Sequence, residues 1–211
     1  MTLLDPIAAE TLREASIPVL ETERLVLRAP RLEDAENIAM LANERRIAEN
    51  TARIPHPYTL ADAKTFLAAA NRSDQETTFL IALTDGTIIG ACGLELREGP
   101  GGPGGPGAAG AMPELGCWLG VAYWGRGFAT EAARALIDHA FTDLELEALQ
   151  AGARVTNPAS RRVLEKCGFQ WTGVGLYRIR ALKSSAPIDR FRLERSIWAS
   201  LKSWGRSRRV A

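Results

Sequence analysis

The stretch ELGCWLGVAYWGRGFATEAARALIDHAF, residues 114–141, decides the architecture. Its opening, ELGCWLGV (114–121), has the composition of a strand, and strand alternation puts Glu114 and Trp118 on the same side. Gly125 and Gly127 then flank Arg126, and a helix is expected over 127–141 with Phe128, Ala132, Ala135, Leu136 and Ala140 on one stripe. A strand, a Gly-rich turn and a helix make anion-binding geometry. The first backbone N–H groups of a helix have no internal partner, and the helix dipole favours negative charge there by ~0.3–1 kcal/mol, up to ~2 when partly buried. Glycine lets the backbone approach a phosphate with no Cβ in the way. A P-loop is excluded, because no Gly-Lys-Ser/Thr occurs. A dinucleotide fingerprint lacks its third glycine, since Thr130 stands there. From these residues alone two readings stay open, a phosphate-bearing ligand or a tight turn without one.

Outward from this stretch, RLVLRAP (24–30) alternates as a first strand, and RLEDAENIAMLANERRIAEN (31–50) shifts to helical spacing with Ala35, Ile38, Ala39 and Ala42 on one face. The prolines of IPHPY (54–58) force an extended turn. Thr59 with Asp62 forms a weak capping box before a helix whose apolar side is Phe66, Leu67 and Ala70. TTFLIAL and TIIGACGLEL flank TDG (84–86), a hairpin signal. GPGGPGGPGAAG (99–110) has too few triplets for a collagen helix and is expected to be a disordered hairpin loop. LEALQAGAR (146–154) is a strand. NPASRRVLEKCG is a short helix marked by Asn157 at its N-cap, Pro158 at N1 and Gly168 past its end. Two strands, 169–180 and 187–197, follow. The order β-α-α-β-β-β-α-β-α-β-β predicts an α/β (α+β) fold, a mixed and mostly antiparallel sheet with helices on its faces. One domain over 21–198 is expected, after an extension (1–20) and before a solvated basic tail (199–211).

The totals agree with a single soluble domain: 211 residues, 46% hydrophobic, 24% charged. A net charge of +1 gives no global case for nucleic acid or an anionic membrane. Three dispersed cysteines, Cys92, Cys117 and Cys167, fit reduced thiols in a cytoplasmic protein. With only His56 and His139 available, neither a catalytic thiol nor a metal site is expected. Asp5, Glu10, Arg13 and Glu14 break any signal-peptide core, and no apolar run approaches the ~20 residues of a membrane span.

Four segments in this order, ETERLVLRAPRLEDAENI, HPYTLADAKTFL, residues 114–141 and VTNPASRRVLEKCGF, resemble the GNAT N-acetyltransferase superfamily. More narrowly they resemble the RimJ/RimL branch, which acetylates ribosomal-protein N-termini. The resemblance covers about residues 21–197. It implies a GNAT-like acyl-CoA N-acyltransferase fold with acetyl-CoA as cosubstrate. It also implies a diphosphate on the amides of Gly125, Arg126, Gly127, Phe128, Ala129 and Thr130, and a pantetheine arm against Leu119, Gly120 and Val121. Trp124 replaces the Gln or Arg of many relatives, and Leu164 replaces a tyrosine that protonates the leaving thiolate.

Acyl transfer to an amine requires a neutral amine, a stabilised oxyanion and a proton for the thiolate. An α-amine of pKa about 8 is ~10% neutral at pH 7, and a lysine is below ~0.1%. An N-terminal acceptor therefore asks less of a base. Glu114, on the strand that the resemblance sets against the thioester, is the candidate base, acting through water. Ser160, one helical turn from Asn157, is the candidate for the vacated acid role, and Asn157 is a candidate contact to pantetheine amides. The oxyanion falls to a strand amide near Leu119. His56, Tyr58 and Trp118 are the candidate acceptor contacts, and Glu131 is read as compensation of the helix dipole. The expected activity is acetylation of a primary amine, foremost a protein or peptide N-terminus, by direct attack in a ternary complex. The alternatives are a small-molecule amine acceptor or a non-catalytic acyl-CoA sensor. The partners are acetyl-CoA and the amine, with the protein a monomer or homodimer.

Overall fold

The Asp85–Gly86 turn sets the central hairpin. Gly86 takes φ +87°, Asp85 Oδ1 accepts the Thr87 N–H at 2.9 Å, and the Leu83 N–H reaches the Thr87 carbonyl at 2.9 Å. In the computed structural model, which describes residues 17–70, 76–97 and 112–207, this hairpin joins β3 (Glu76–Leu83) to β4 (Ile88–Arg97). Before it come β1 (Leu20–Glu21), β2 (Leu25–Arg28), α1 (Ala35–Ala42), α2 (Arg45–Ala48) and α3 (Leu60–Ala70). After it come β5 (Met112–Leu119), α4 (Phe128–Thr142), β6 (Ala148–Arg154), α5 (Pro158–Lys166), β7 (Gln170–Ile179), β8 (Ser184–Glu194) and α6 (Arg195–Ser207). The Gly-Pro segment 99–110 lies outside the described residues.

The strands form one eight-stranded sheet in the order β1-β2-β3-β4-β5-β6-β8-β7. Every neighbouring pair is antiparallel except β5 and β6. That parallel pair is registered at only two positions, Glu114 with Gln150 and Leu115 with Ala151. From Gly116 onward the β6-facing side of β5 has no strand partner among the described residues, so the sheet opens there.

Alternation sorts the core onto two faces. Leu27, Phe79, Ile81, Leu115 and Leu149 pack against Phe128, Ala132, Leu136 and Ala140 of α4. Leu80, Ala82 and Ala91 pack on the other face against Ile38 of α1 and Ala63 and Leu67 of α3. The Thr59–Asp62 capping box forms in both directions, with Thr59 N–H to Asp62 Oδ2 at 2.9 Å and Asp62 N–H to Thr59 Oγ1 at 3.2 Å. Arg28 grips the buried Asp34 with both Nη atoms, at 2.9 and 2.7 Å. Removing one partner of such a pair costs roughly 3–5 kcal/mol.

Three elements differ from the expectation. The helical segment 31–50 breaks at Asn43, whose Oδ1 accepts the Tyr58 N–H at 3.0 Å, and Glu44 caps α2 through the Arg46 N–H at 3.2 Å. Leu20, placed in the extension, and Glu21, the first residue of the expected domain, pair with Leu27 and Val26 as an edge strand. The last strand ends at Glu194, and a helix follows where a strand end and a solvated tail were expected. Ile197 and Trp198 pack on the main core, the Trp198 indole N–H donates to Asp138 at 2.7 Å, and Lys202 pairs with Asp138 at 2.8 Å. These ties make the segment a docked helix despite its basic charge.

Candidate active site

Gly125 and Gly127 both adopt positive φ, +73° and +85°. Gly127 is the N-cap of α4 in the left-handed conformation, and no side chain caps the helix start. The Glu131 N–H makes the bond to the Gly127 carbonyl at 3.1 Å, so the amides of Phe128, Ala129 and Thr130 precede the first helical donor. A Cβ on Gly125 would meet nothing within 4 Å, so open space lies in front of the turn. Two guanidinium groups flank the same place, Arg24 and Arg126, 4.7 and 5.0 Å from the Phe128 ring centroid. Arg24 is held there. Its Nε donates to Glu131 Oε2 at 2.7 Å and its Nη1 to the Arg126 carbonyl at 3.1 Å. Burial works against an ionised Glu131, but hydrogen bonds from Thr22 and Arg24 hold its carboxyl below the usual range. Glu131 is thus a clamp between the first strands and α4 as well as a favourable charge for the helix dipole.

Where β5 leaves the sheet, its backbone presents donors. The Gly120 N–H bonds back to Ile89 at 2.8 Å, so by ladder alternation the Leu119 N–H points the other way, toward the opening beside β6. The carbonyls of Leu119, Gly120 and Val121 each accept a bond already, from the Trp124 indole (2.8 Å), the Tyr123 amide (2.9 Å) and the Trp124 amide (3.2 Å). Trp124 therefore braces the strand end. The cation at this corner is Arg46, 5.7 Å above the Trp124 ring.

On the opposite face, register aligns three carboxylates across adjacent strands. Glu76 pairs with Glu95, and Glu95 with Glu114. One arginine binds into the row. Arg53 reaches Glu76 at 2.9 Å and Glu95 at 3.1 Å, and Glu114 adds to the field that raises its pKa, behind the Glu76 hydrogen bond. Arg53 belongs to the loop between α2 and α3, which also holds His56 and Tyr58. Two further ties bring this loop over the C-terminal strands: Arg154 Nη1 donates to the Glu49 carbonyl at 2.9 Å, and the Arg180 N–H donates to the Ala52 carbonyl at 3.0 Å. Beneath it, Gly116 stands between Glu114 and Trp118 on one face, and a Cβ there would meet nothing within 4 Å. Trp118 is partly buried against the α1–α3 layer, and His56 is exposed. Tyr58 is 8% exposed and packs in the α1–α3 core, where burial pushes its phenol up to about 12.

Ser160 and Asn157 lie on the α4 side of the sheet, at the start of α5. Asn157 Oδ1 accepts the Ser160 N–H at 3.1 Å and is spent as a cap, which leaves its amide nitrogen for other partners. Leu164 is 5% exposed in the main core and supplies no proton. Burial pushes the Cys117 thiol up to about 12 and Cys167 to about 11, so neither is a nucleophile near neutrality.

A sheet opened between two parallel strands thus has an uncapped helix start on one face and a carboxylate row on the other. Residues 24–170 match the family described as "Acetyltransferase (GNAT) domain". The chain belongs to the GNAT acetyltransferase family. Over 160 residues the acetyltransferase is 29% identical to the uncharacterized N-acetyltransferase p20 of Bacillus licheniformis, a match spanning 74% of this chain and 84% of that one. Its fold is similar to spermidine N-acetyltransferase from Vibrio cholerae in complex with CoA and spermine, with a TM-score of 0.67 at 21% identity over 84% of this chain and 99% of that one. It is also similar to Mycobacterium smegmatis RimJ in complex with CoA-disulfide, with a TM-score of 0.66 at 20% identity over 84% and 86% of the two chains. These likenesses show the fold. The acetyltransferase is accordingly an acetyl-CoA-dependent N-acetyltransferase with the GNAT fold. Sequence reasoning missed Arg24, Arg46 and Arg53. Each reaches the site from a distant segment, and no local motif announces it.

Proposed function

We propose that this acetyltransferase acetylates the α-amine of a peptide or protein N-terminus by direct attack within a ternary complex. The single observation that carries the reading is the opening beside Leu119, which has Glu114 on one face of the sheet and the uncapped start of α4 on the other. The residues there fit the cosubstrate. The amides from Gly125 to Thr130 and the guanidinium groups of Arg24 and Arg126 suit a diphosphate, while the nearby carboxylate, Glu131, is engaged by Arg24. Val121 offers its N–H group to a pantetheine carbonyl, and the Asn157 amide nitrogen is a further contact.

In this reading the acceptor enters past His56, Tyr58 and Trp118. Its ammonium gives a proton through water to Glu114. The neutral amine attacks the thioester carbonyl, forming the N–C bond, and the Leu119 N–H holds the oxyanion. Collapse breaks the C–S bond, the second proton of the attacking amine passes through water to the departing thiolate, and the Ser160 hydroxyl hydrogen-bonds that thiolate. An α-amine suits a single carboxylate base, because ~10% of it is already neutral at pH 7.

A specific observation favours a second acceptor class. The carboxylates of Glu76, Glu95 and Glu114, aligned across three strands, form a row that suits a polyamine. Thiol release from acetyl-CoA, measured over a panel of Ala- and Ser-starting peptides, polyamines and aminoglycosides, separates the two. Peptide acetylation that stops when the N-terminus is blocked is expected. Turnover of small amines alone would overturn the peptide assignment.

A further inference from the structure

Among the described residues, two side-chain nitrogens are sealed from solvent without a hydrogen-bond partner, and both are arginine Nε atoms, of Arg154 and Arg190. Leaving a charge-bearing donor buried and unmatched is unfavourable, and structures ordinarily avoid it. The two residues are neighbours on one face. Arg154 pairs with Ile188 and Gly152 with Arg190, so the arginines lie on a diagonal of adjacent antiparallel strands. That face is the acceptor face, because a Cβ on Gly152 would stand 4.0 Å from Glu114 Oε1.

The Arg190 side chain runs away from Glu114, out over β7. A Cβ on Gly175 would lie 3.5 Å from its Nε, and one on Gly173 would lie 3.8 Å from its Nη2. Glycine at both positions leaves room for the guanidinium on the sheet surface, with Nη2 farther out. No hydrogen bond or ion pair of this guanidinium is made among the described residues. Arg154, by contrast, spends Nη1 on the Glu49 carbonyl. Among the described residues, Glu114, Glu95, Glu76 and Arg53 face this strip at one end, and Arg154, Arg190 and Arg192, the last paired with Glu194, face it at the other. The cleft is acidic where the amine must arrive and basic beyond it.

We propose that Arg190, assisted by Arg154, recognises an anionic group on the acceptor and so selects peptides with an acidic side chain near the third residue. This rests on the peptide reading above. The spacing follows from the sheet. The Glu114 carboxylate overlies β6 and the Arg190 guanidinium overlies β7, two strand intervals or about 10 Å away. Two residues of extended chain, at ~3.3 Å each, plus an acidic side chain span that distance. Arg190 is thus a specificity residue that leaves the chemical step to Glu114.

The test is initial-rate kinetics with three peptides that begin Ala-Ala-Glu, Ala-Ala-Gln and Ala-Ala-Lys. The wild type is expected to favour the Glu peptide over the Gln peptide about tenfold in kcat/KM, the scale of one charge-assisted hydrogen bond. R190Q is expected to remove that preference through KM, with kcat and the KM for acetyl-CoA unchanged, while R190K retains part of it. Equal kcat/KM for the three peptides, or an equal loss on all of them in R190Q and R190K, would overturn the proposal. If no peptide is acetylated, 6-aminohexanoate is compared with hexylamine. An Arg190-dependent preference for the carboxylate sustains the anion site and removes only the peptide acceptor. No preference there removes the anion site as well.

Discussion

Gly127→Val is expected to raise the dissociation constant for acetyl-CoA about 100-fold and leave a folded protein. Gly127 holds φ +85° at the N-cap of α4, where an L side chain costs of order 1–3 kcal/mol and a β-branched one is the worst case. A Cβ there would also come 3.4 Å from Arg24 Nη2, and Arg24 is fixed by Glu131 and the Arg126 carbonyl. The turn must rotate to relieve that backbone strain, and its amides then lose their common aim. A hydrogen bond to a charged group contributes about 1.5–3 kcal/mol, so loss of one or two accounts for the factor. Isothermal calorimetry with acetyl-CoA reads the effect, and a thermal melt checks that α4 is still docked. Unchanged affinity would mean that the diphosphate does not use this turn.

Glu114→Gln is expected to lower kcat about 100-fold with the KM for acetyl-CoA unchanged, within the span of general acid–base effects. The amide keeps the shape and the hydrogen bonds but takes no proton. The pH profile should change form as well. In the wild type the carboxylate takes the ammonium proton inside the complex, so below the amine pKa the rate is expected to depend on pH less steeply than the neutral-amine fraction. In Glu114→Gln the rate should follow the neutral amine alone, rising about tenfold per pH unit up to an amine pKa near 8. Single-turnover rates against pH distinguish the two. Wild-type turnover in the variant would assign the base elsewhere and leave the cosubstrate site untouched.

What the sequence discloses follows how local the physics is. The Asp-Gly hairpin, the Thr59–Asp62 box and the Asn157–Pro158…Gly168 helix are governed by dihedral and capping preferences within a few residues, and they form as expected. The glycine turn before α4 is local too, and its positive φ values explain both glycines. Glu114 could be picked out from strand alternation, but its alignment with Glu95 and Glu76 depends on register between three strands. The same holds for Arg24, which meets Glu131 across 107 positions of chain. The segment of helix α6 reads as a strand end up to 197 and a basic tail from 199 because its charge outweighs the spacing of Ile197, Trp198 and Leu201. That spacing is the apolar signal of its docked face.

The most direct measurement is a backbone amide NMR titration of the protein with coenzyme A. The largest shifts are expected at Gly125, Arg126, Gly127, Phe128, Ala129 and Thr130, with a second group at Leu119 and Val121. Saturable shifts that leave those amides unmoved and cluster elsewhere would contradict a diphosphate held at the start of α4.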